Sequence, residues 1–375
     1  MRVAHIGNYK PDSANGVDKT IAGLMRHLPE QGIKVEVWHP SRRVTRIERR
    51  IEGGVLVYDL PVRRPFKGLC LFTAETVRFV RSRAQAMDLL HFHSVFLSEN
   101  LRIASIGIPY VVTPHGGYDE LVLSGRNRAA KAIWLKLWER PYLEKARLIQ
   151  AVSVPELQGL QKLGLRTPLR YVANGIEDCA LQLPAPPPSM MSDLVFLGRL
   201  AVEQKGLDLL IKGYAMAAAR NHNLPRLVLA GPDFRDGRAQ LAAMAEALSI
   251  SGKVEFAGPL HGEQKWQALS QARVFVHTSR REGMPFALLE AMALGRPTLV
   301  TPGTNLADAI AGAKAGFVTE CEAGAIADAV CTLAAQPSDT IDTMGERARA
   351  LVKTQFSWRS IAATMGDAYR GALAD

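Results

Sequence analysis

The sequence is poor in the patterns that mark metal sites, disulfide frameworks and membrane spans. Only 4 of its 375 residues are cysteine, and no two form a C-x-x-C pair, so neither a zinc site nor a disulfide framework is predicted. Apolar runs are short, and no signal-peptide core follows the first residues. Hydrophobic residues make up 47% and charged residues 22% of the chain, the balance of a globular protein. These features favour a cytoplasmic protein.

Signatures of several ligands are also missing. The loop after the first predicted strand does not supply G-x-G-x-x-G, which is typical of dinucleotide cofactors, and the P-loop pattern G-x-x-x-x-G-K-[ST] is absent. No D-x-D pair occurs, so the usual short acidic motif for holding Mg²⁺ on a nucleotide diphosphate is missing. The sequence therefore predicts no cofactor and no protein-bound metal.

Positive charge is concentrated in the first half of the chain. The chain carries a net charge of +10, and residues 1–183 contain 27 Lys+Arg against 17 Asp+Glu. The density is highest at 41–50 and 61–69. Two interpretations remain open, a solvated loop face or a surface attracted to anionic lipid at the inner face of a bacterial cytoplasmic membrane. Nucleic acid is a third, but no zinc-finger spacing, RNA-binding signature or recognition helix supports it.

Short β-branched runs alternate with helix-length segments throughout the chain. The runs lie at 2–7, 34–40, 55–60, 88–93, 109–116 and 146–153, and again at 193–200, 226–231, 253–258, 272–279, 297–302 and 315–320. This pattern predicts an α/β fold with two doubly wound, Rossmann-like domains of parallel strands. A proline-rich connector at 184–189 places the domains at 1–183 and 184–356. A cleft between the carboxyl ends of their strands is the expected ligand site.

Two loops have the composition of phosphate sites. Gly16 precedes an apolar helix, and a glycine there allows close approach of an anion to the helix N-terminus, although such a glycine is also common in ordinary turns. In G-R-L-x4-K-G, Arg199 and Lys205 flank a strand-to-helix junction. Two cations at the end of a strand suit a diphosphate whose charge must be neutralised without metal.

The segment 281–300 keeps two carboxylates in an apolar setting. Glu282 lies in a loop after a predicted strand, and Glu290 lies in the second turn of the following helix. Gly283 and Met284 are predicted to present backbone N–H groups to phosphate, with Pro285 at the first position of the helix. One carboxylate can accept hydrogen bonds from sugar hydroxyls and the other from ribose hydroxyls.

With these motifs the chain resembles, over nearly its full length, the retaining glycosyltransferases of family 4, which have the two-domain GT-B fold. The most specific motif is E-x7-E, from Glu282 to Glu290, followed by G-R-L-x4-K-G. Further matches are T-P-H-G at 113–116, V-A-N-G-I at 172–176 and F-S-W at 356–358. The resemblance implies that a C-terminal helix at 357–375 packs back on the first domain.

The resemblance also implies a role for each motif residue. Glu282 would lie near the donor hexose, Glu290 at the ribose, and Arg199 and Lys205 at the diphosphate. His115 would hydrogen-bond the donor sugar near the reaction centre and help to stabilise the developing charge.

Other positions match the family less closely. Many members have Gly-Gly in the first loop where this chain has Asn15 and Gly16. Leu260, in the apolar segment F-A-G-P-L, is predicted to line the base pocket, where it would distinguish guanine from uracil poorly. His91 and His93 end a predicted strand, and a core or edge position is the favoured interpretation for both.

The activity implied by the resemblance is metal-independent transfer of a hexose, with retention, from a UDP- or GDP-linked donor. The acceptor would be a glycan or lipid-linked sugar of exopolysaccharide, capsule or lipopolysaccharide synthesis, bound by the basic first domain. The leaving phosphate oxygen would take the acceptor proton, so the carboxylate nucleophile of retaining glycosidases is not required. Two alternatives remain: a GT-B-like sugar-nucleotide epimerase, which needs no acceptor, and a non-catalytic nucleic-acid-binding protein, which leaves the neutral second half unexplained.

Overall fold

Two structural units make up the chain. A computed structural model describes residues 1–11, 15–66, 69–118, 128–176, 178–182 and 193–374. The first unit comprises Met1–Gly175 and Trp358–Asp375, and the second comprises Ile176–Ser357. Among the described residues, no helix has the length and apolar character needed to cross a membrane.

The first unit is built on a sheet of mainly parallel strands. Its strands are β1 (Arg2–Ile6), β2 (Lys34–Ser41), β3 (Glu48–Glu52), β4 (Val55–Phe66), β5 (Leu69–Phe72), β6 (Leu89–His93), β7 (Tyr110–Thr113), β8 (Leu148–Ala151) and β9 (Leu169–Tyr171). Its helices are α1 (Gly16–His27), α2 (Ala74–Ala84), α3 (Ser98–Ala104), α4 (Arg128–Trp134), α5 (Arg140–Glu144), α6 (Val154–Lys162) and the C-terminal helix (Trp358–Ala374). A π-helical turn, Leu135–Glu139, joins α4 to α5.

Strand order in this sheet is β3-β4-β2-β1-β6-β7-β8-β9, with β5 also pairing with β4. Strands β4 to β9 along this path are parallel, whereas β3 and β5 run antiparallel to β4. Strands β2 to β4 lie on one side of β1, and β6 to β9 lie on its other side, so the strand order reverses between β1 and β6. Ligands bind at such a reversal in open α/β sheets. The C-terminal helix belongs to this unit, which confirms the expectation that it packs back on the first domain.

The second unit has a fully parallel sheet. Its strands are β10 (Asp193–Leu197), β11 (Leu227–Ala230), β12 (Val254–Gly258), β13 (Ala272–His277), β14 (Thr298–Val300) and β15 (Gly316–Val318). Its helices are α7 (Asp178–Gln182), α8 (Leu207–Arg220), α9 (Gly237–Ala247), α10 (Gly262–Gln271), α11 (Phe286–Ala293), α12 (Ala307–Ala313), α13 (Ala323–Ala334) and α14 (Ser338–Gln355). The strand order β12-β11-β10-β13-β14-β15 is that of the Rossmann fold, and it reverses between β10 and β13.

Apolar periodicity explains how helices cover this second sheet. In α8, Leu207, Leu210, Ile211 and Tyr214 are fully buried at the i, i+3, i+4 and i+7 spacing of one helix face. They pack in one core with residues of β10 and β13, including Phe196. The helix therefore holds the loop before it at the end of β10.

The predicted strands are all present, and each basic segment lies partly in a strand. Residues 42–47 form a loop between β2 and β3, which agrees with one of the two interpretations, whereas 48–50 belong to β3. Glu48–Glu52 pairs antiparallel with Val55–Asp59, and 61–66 continues β4. The hairpin turns at Gly53 and Gly54, whose φ angles of 58° and 79° favour glycine. β3 was missed because, at the edge of a sheet, its mostly charged side chains face solvent.

The division between the units falls earlier in the chain than the predicted boundary at Leu183. The backbone N–H of Ile176 donates to the carbonyl of Phe356 at 2.6 Å, and Arg349 binds the carbonyl of Leu181 at 2.5 Å. These bonds attach Ile176 and α7 to the second unit. The predicted connector at 184–189 lies outside the described residues.

Candidate functional site

Two loops of the second unit meet where its strand order reverses. One loop follows β10 and carries Arg199 and Lys205, and the other follows β13 and carries Glu282. The backbone N–H of Arg280 donates to the carbonyl of Gln204 at 3.0 Å, which joins the two loops directly. Neighbouring parallel strands thus bring together motifs that are distant in the sequence.

Gly206 makes this close approach possible. Its φ is +61°, and a Cβ placed there would lie 2.1 Å from the carbonyl oxygen of Thr278. Arg280 adds a bidentate ion pair with Asp208, at 2.7 and 2.8 Å, in the first turn of α8. The two loops are therefore held by backbone packing as well as by charge.

Glu282 binds three donors through a single oxygen. Its Oε1 accepts hydrogen bonds from Lys205 Nζ, from Ser279 Oγ at 2.8 Å and from His277 Nε2 at 3.1 Å. Within the described residues its Oε2 has no hydrogen-bond partner and is not fully enclosed. Burial would raise the pKa of Glu282, but the hydrogen bond from His277 and the charge of Lys205 lower it to about 2. The site thus holds an ionised carboxylate with one oxygen left for a ligand.

Arg199 lies in the same loop as Lys205 but is arranged differently. Its guanidinium stacks on the ring of Phe234, 5.0 Å from the ring centroid, and its side chain is exposed. No carboxylate pairs with it among the residues that the structure describes. Arg199 therefore presents a full positive charge, whereas the charge of Lys205 is largely neutralised by Glu282.

Glu290 belongs to a separate ion pair. It lies in α11, and its Oε1 accepts from Lys265 Nζ at 2.9 Å. Lys265 is carried by α10, which follows the loop that contains the half-buried Leu260, and its ammonium lies 4.1 Å from the centroid of the Trp266 ring.

The start of α11 corrects one prediction. Pro285 is the N-cap, with φ −81° and ψ 98°, and the helix begins at Phe286. The extended ψ excludes Pro285 from the first helical position. Gly283 is exposed and Met284 is buried, and Asn305 Nδ2 donates to the carbonyls of Glu282 and, at 3.0 Å, Gly283. These carbonyl contacts fix the orientation of the peptide groups ahead of the helix.

His115 lies just after β7 in the first unit. It has a φ of +56°, and its Nε2 lies 2.9 Å from Nδ1 of His93. The buried carboxylate of Glu156 accepts hydrogen bonds from the backbone N–H groups of Gly116 and, at 2.9 Å, Val152. Glu156 thereby stabilises the unusual backbone that presents His115. Burial lowers the pKa of His115 to about 3, so its ring is neutral.

Gly16 is the first residue of α1. The side chain of Asn15 caps the helix by accepting from the N–H of Val17 at 2.8 Å. Residues 12–14, immediately before it, lie outside the described residues. Gly16 remains a candidate phosphate contact because it follows β1, where the strand order of the first sheet reverses.

Sequence reasoning missed several residues that shape these sites. His277 is buried and holds Glu282, and its place directly before the motif loop was the signal available. Glu156 lies three residues after Ser153, whose hydroxyl accepts from the N–H of Glu156, so S-x-x-E marked a helix start. The buried positions of His91 and His93 agree with the favoured interpretation of both.

A large cavity of the first unit is separate from all of these residues. Its volume is about 860 Å³, and it is lined by residues of β5, α2 and α3, including Phe72, Val80 and Ile103. None of the predicted site residues lines it.

Comparisons with known proteins cover both units. A family model described as Glycosyltransferase Family 4 matches residues 14–178, and one described as Glycosyl transferases group 1 matches residues 186–351. The chain is 25% identical, over 100% of its length and 97% of the relative's, to GDP-mannose:cellobiosyl-diphosphopolyprenol alpha-mannosyltransferase of Xanthomonas oryzae pv. oryzae. It is 28% identical over 46% of its length, and 44% of the relative's, to the putative colanic acid biosynthesis glycosyltransferase WcaL of Salmonella typhimurium.

Solved structures with the same fold are more distant in sequence. Sucrose-phosphate synthase from Thermosynechococcus elongatus superposes with a TM-score of 0.73 at 18% identity, covering 100% of both chains. Anabaena HepE in complex with UDP and glucose superposes with a TM-score of 0.70 at 17% identity, covering 99% of both chains. At these identities the likeness is one of fold.

Proposed function

Since the chain belongs to family 4 of the glycosyltransferases and has the GT-B fold, we propose that it transfers a hexose from a nucleotide diphosphate sugar with retention. The acceptor is a glycan or lipid-linked sugar of bacterial surface polysaccharide synthesis. The observation that carries this proposal is the ionised Glu282, whose Oε1 is held by Lys205, Ser279 and His277 while Oε2 has no partner within the described residues.

Each side chain of the donor site has a distinct task. Arg199, exposed and without a carboxylate partner among the described residues, binds the diphosphate and neutralises its charge as it leaves. Oε2 of Glu282 accepts a hydrogen bond from a hexose hydroxyl. Lys205 keeps Glu282 ionised and adds positive charge beside the diphosphate, and Glu290 receives the ribose hydroxyls.

The reaction needs no protein-bound metal in this proposal. The nucleotide diphosphate leaves toward Arg199 and Lys205, and the acceptor hydroxyl attacks from the same face of the sugar. The leaving phosphate oxygen takes the proton of that hydroxyl. Cationic side chains supply the charge stabilisation that a metal supplies in other transferases.

GDP-mannose is the first donor to examine. The Xanthomonas relative named above covers the whole chain, and its name specifies GDP-mannose and a diphosphopolyprenol-linked cellobiosyl acceptor. We propose the same classes here, a nucleotide-linked mannose and a lipid diphosphate-linked oligosaccharide. UDP-glucose is the second candidate, because the HepE structures contain UDP and glucose.

A lipid-linked acceptor calls for attachment to a membrane surface. In the segment from α4 to α5, Ile133, Leu137 and Trp138 are 58%, 56% and 48% exposed, next to Lys131 and Lys136. Exposed apolar side chains beside lysines suit the interface of an anionic bilayer. We propose that this segment, rather than the hairpin of β3 and β4, makes the main contact, since Arg50 in the hairpin is already paired with Asp59.

Thermal shifts with GDP, UDP, GDP-mannose and UDP-glucose, each with and without EDTA, test the donor site. A ligand at 100 times its Kd stabilises a protein by about 2.7 kcal/mol, and we expect the stabilisation to survive chelation. Arg199→Ala should abolish it. Arg235→Ala is the matched control, because Arg235 stacks on the same Phe234 ring at 5.1 Å. Stabilisation by no nucleotide, or only in the presence of metal, would count against the proposal.

A further inference from the structure

A run of polar side chains forms one hydrogen-bonded chain inside the first unit and ends at His115. The run passes, in order, through Gln150, Thr113, His91, Tyr369, His5, His93 and His115. Starting from the bond between Gln150 Nε2 and the carbonyl of Val172, its links measure 2.9, 2.7, 2.6, 2.6, 3.5, 2.9 and 2.9 Å. All members except His115 are buried.

The direction of the hydrogen bonds is set at the Gln150 end. A backbone carbonyl only accepts, so the amide nitrogen of Gln150 faces Val172, and its Oε1 faces Thr113. The hydroxyl proton of Thr113 is therefore donated to Gln150. The oxygen of Thr113 must then accept from Nε2–H of His91.

Each neutral histidine keeps the same direction of hydrogen bonding, because one ring nitrogen donates its N–H and the other, bare nitrogen accepts. Burial lowers the pKa of His91, His5 and His93 well below its ordinary value, so all three are neutral. Nδ1 of His91 is thus bare and accepts the single proton of Tyr369. The oxygen of Tyr369 can only accept from Nε2–H of His5, across the longest link of the run.

Two more hydrogen bonds with the same direction determine which nitrogen of His115 carries the proton. Nδ1 of His5 accepts from Nε2–H of His93, and Nδ1 of His93 accepts from Nε2–H of His115. If the hydrogen bonds between His5 and His115 ran in the opposite direction, Nε2 of His5 would carry no proton. This buried acceptor would then face the oxygen of Tyr369, whose only proton is already donated to His91. Leaving such a group unpaired is unfavourable, so Tyr369 is the junction that selects one direction.

We propose that this chain holds His115 as the Nε2–H tautomer with Nδ1 as a bare acceptor, and that Tyr369 of the C-terminal helix is the positioning residue that selects it. Resting on the proposed function, Nδ1 then accepts a hydrogen bond from a donor-sugar hydroxyl and faces the developing positive charge with its lone pair. The tautomer itself does not depend on that function.

A metal ion is the competing explanation for the cluster. His5, His91 and His93 can offer one nitrogen each within 4.8 Å of one another. Both ring nitrogens of each of the three already have a hydrogen-bond partner, however, which a metal would have to displace. The hydrogen-bonded chain accounts for these contacts without an ion.

Nitrogen NMR of histidine tautomers tests the inference directly. In full-length protein labelled with ¹⁵N-histidine, long-range ¹H–¹⁵N spectra distinguish protonated from bare ring nitrogens, and His115→Gln assigns the His115 signals. We expect a protonated Nε2 and a bare Nδ1 in the wild type. Tyr369→Phe keeps the ring and removes the junction, so His115 should then populate both tautomers. Tyr110→Phe is the matched control, because the hydroxyl of Tyr110 is buried in the same unit but donates to the carbonyl of Tyr142, outside the chain.

Three results would overturn the inference: a protonated Nδ1 on wild-type His115, unchanged tautomers in Tyr369→Phe, or a stoichiometric metal in the purified protein bound by His5, His91 and His93. A binding arm adds a functional readout. Tyr369→Phe should lower the affinity for GDP-mannose or UDP-glucose about twofold, because only about half of the molecules then hold the competent tautomer, and leave GDP or UDP binding unchanged. The expected tautomers without any nucleotide binding would support this inference and count against the proposed function.

Discussion

Glu282 keeps its charge although only 8% of its side chain is exposed. Burial alone favours a neutral carboxyl, but the hydrogen bond from His277 and the charge of Lys205 lower its pKa from 4.5 to about 2. A depressed folded pKa contributes stability above pH about 4.5, and that stability is lost as the pH falls toward about 2. At neutral pH, Glu282 is therefore an anion that also neutralises Lys205.

We expect Glu282→Gln to bind the nucleoside diphosphate at least as tightly as the wild type and to lose turnover by about 100-fold or more. The substitution removes a negative charge beside Lys205, which leaves its ammonium for the diphosphate in the proposed site. It also removes the carboxylate that is proposed to bind the sugar. Calorimetric titration with GDP and UDP measures the first effect, and initial rates with GDP-mannose measure the second.

Glu290→Gln is the control for this prediction. Its carboxylate pairs with Lys265, so we expect weaker nucleotide binding through loss of the proposed ribose contact. An equal loss of GDP and UDP affinity in both variants would contradict the separate tasks assigned to the two carboxylates.

The placement of the motif residues in loops after strands could be predicted from the sequence, but their hydrogen-bond partners could not. Glu282, Arg199 and Lys205 lie in short segments whose spacing has a chemical reason. His277 and Tyr369 contribute through contacts that depend on the packed fold, and the bond between Tyr369 and His91 joins residues separated by 278 positions. Local patterns contain no information about such pairs.

At the scale of elements, the C-terminal helix is fitted closely to α1. Trp358 is 1% exposed, and a Cβ added at Gly23 would lie 2.0 Å from its Cε2 atom. A Cβ at Gly175 would lie 2.6 Å from its Cδ2 atom. The absence of two side chains thus makes the space for the indole ring.

We expect Gly23→Ala to destabilise the protein by about 1–3 kcal/mol, the usual range for an overfilled core. Alanine is otherwise favoured over glycine inside a helix by about 1 kcal/mol. A decrease in the free energy of unfolding would therefore indicate a steric clash with Trp358. Gly371→Ala in the C-terminal helix is the matched control, because a Cβ there meets nothing within 4 Å. Denaturant unfolding of both variants measures the difference, and a stabilised Gly23→Ala protein would refute this account of the packing.

The strands show where sequence patterns are informative. Buried parallel strands such as β10, with every residue buried, produce the apolar runs that predicted them. β3 contains mostly charged residues, and Ile51 within it is 70% exposed, so neither an apolar run nor a buried face distinguishes it. Its pairing with β4 is specified by the turn and by the neighbouring strand.

At the scale of the whole molecule, excess positive charge and exposed apolar side chains both occur in the first unit. Exposed large apolar residues at Ile133, Leu137 and Trp138 follow one another within one helical segment. Apolar insertion and attraction to anionic lipid act together at a bilayer interface. This combination makes membrane attachment of the first unit a testable prediction.

We expect co-sedimentation with vesicles that contain phosphatidylglycerol at low salt, and much less with pure phosphatidylcholine. Replacing both Leu137 and Trp138 by serine should weaken the binding at least roughly tenfold, because burial of each large apolar side chain contributes about 1.5–3 kcal/mol. Leu248→Ser is the control, because Leu248 is 41% exposed but lies in the second unit. Equal binding by the double variant and the wild type would exclude this segment as the contact.

The position of Trp358 and Tyr369 also has a consequence for synthesis on the ribosome. The first unit needs both residues to fill its core and complete its hydrogen-bonded chain, yet both follow the whole second unit in the sequence. The nascent first unit must therefore remain incomplete, with the groove for Trp358 open, until Trp358 and Tyr369 leave the exit tunnel. The half of the protein that is made first is the half that finishes folding last.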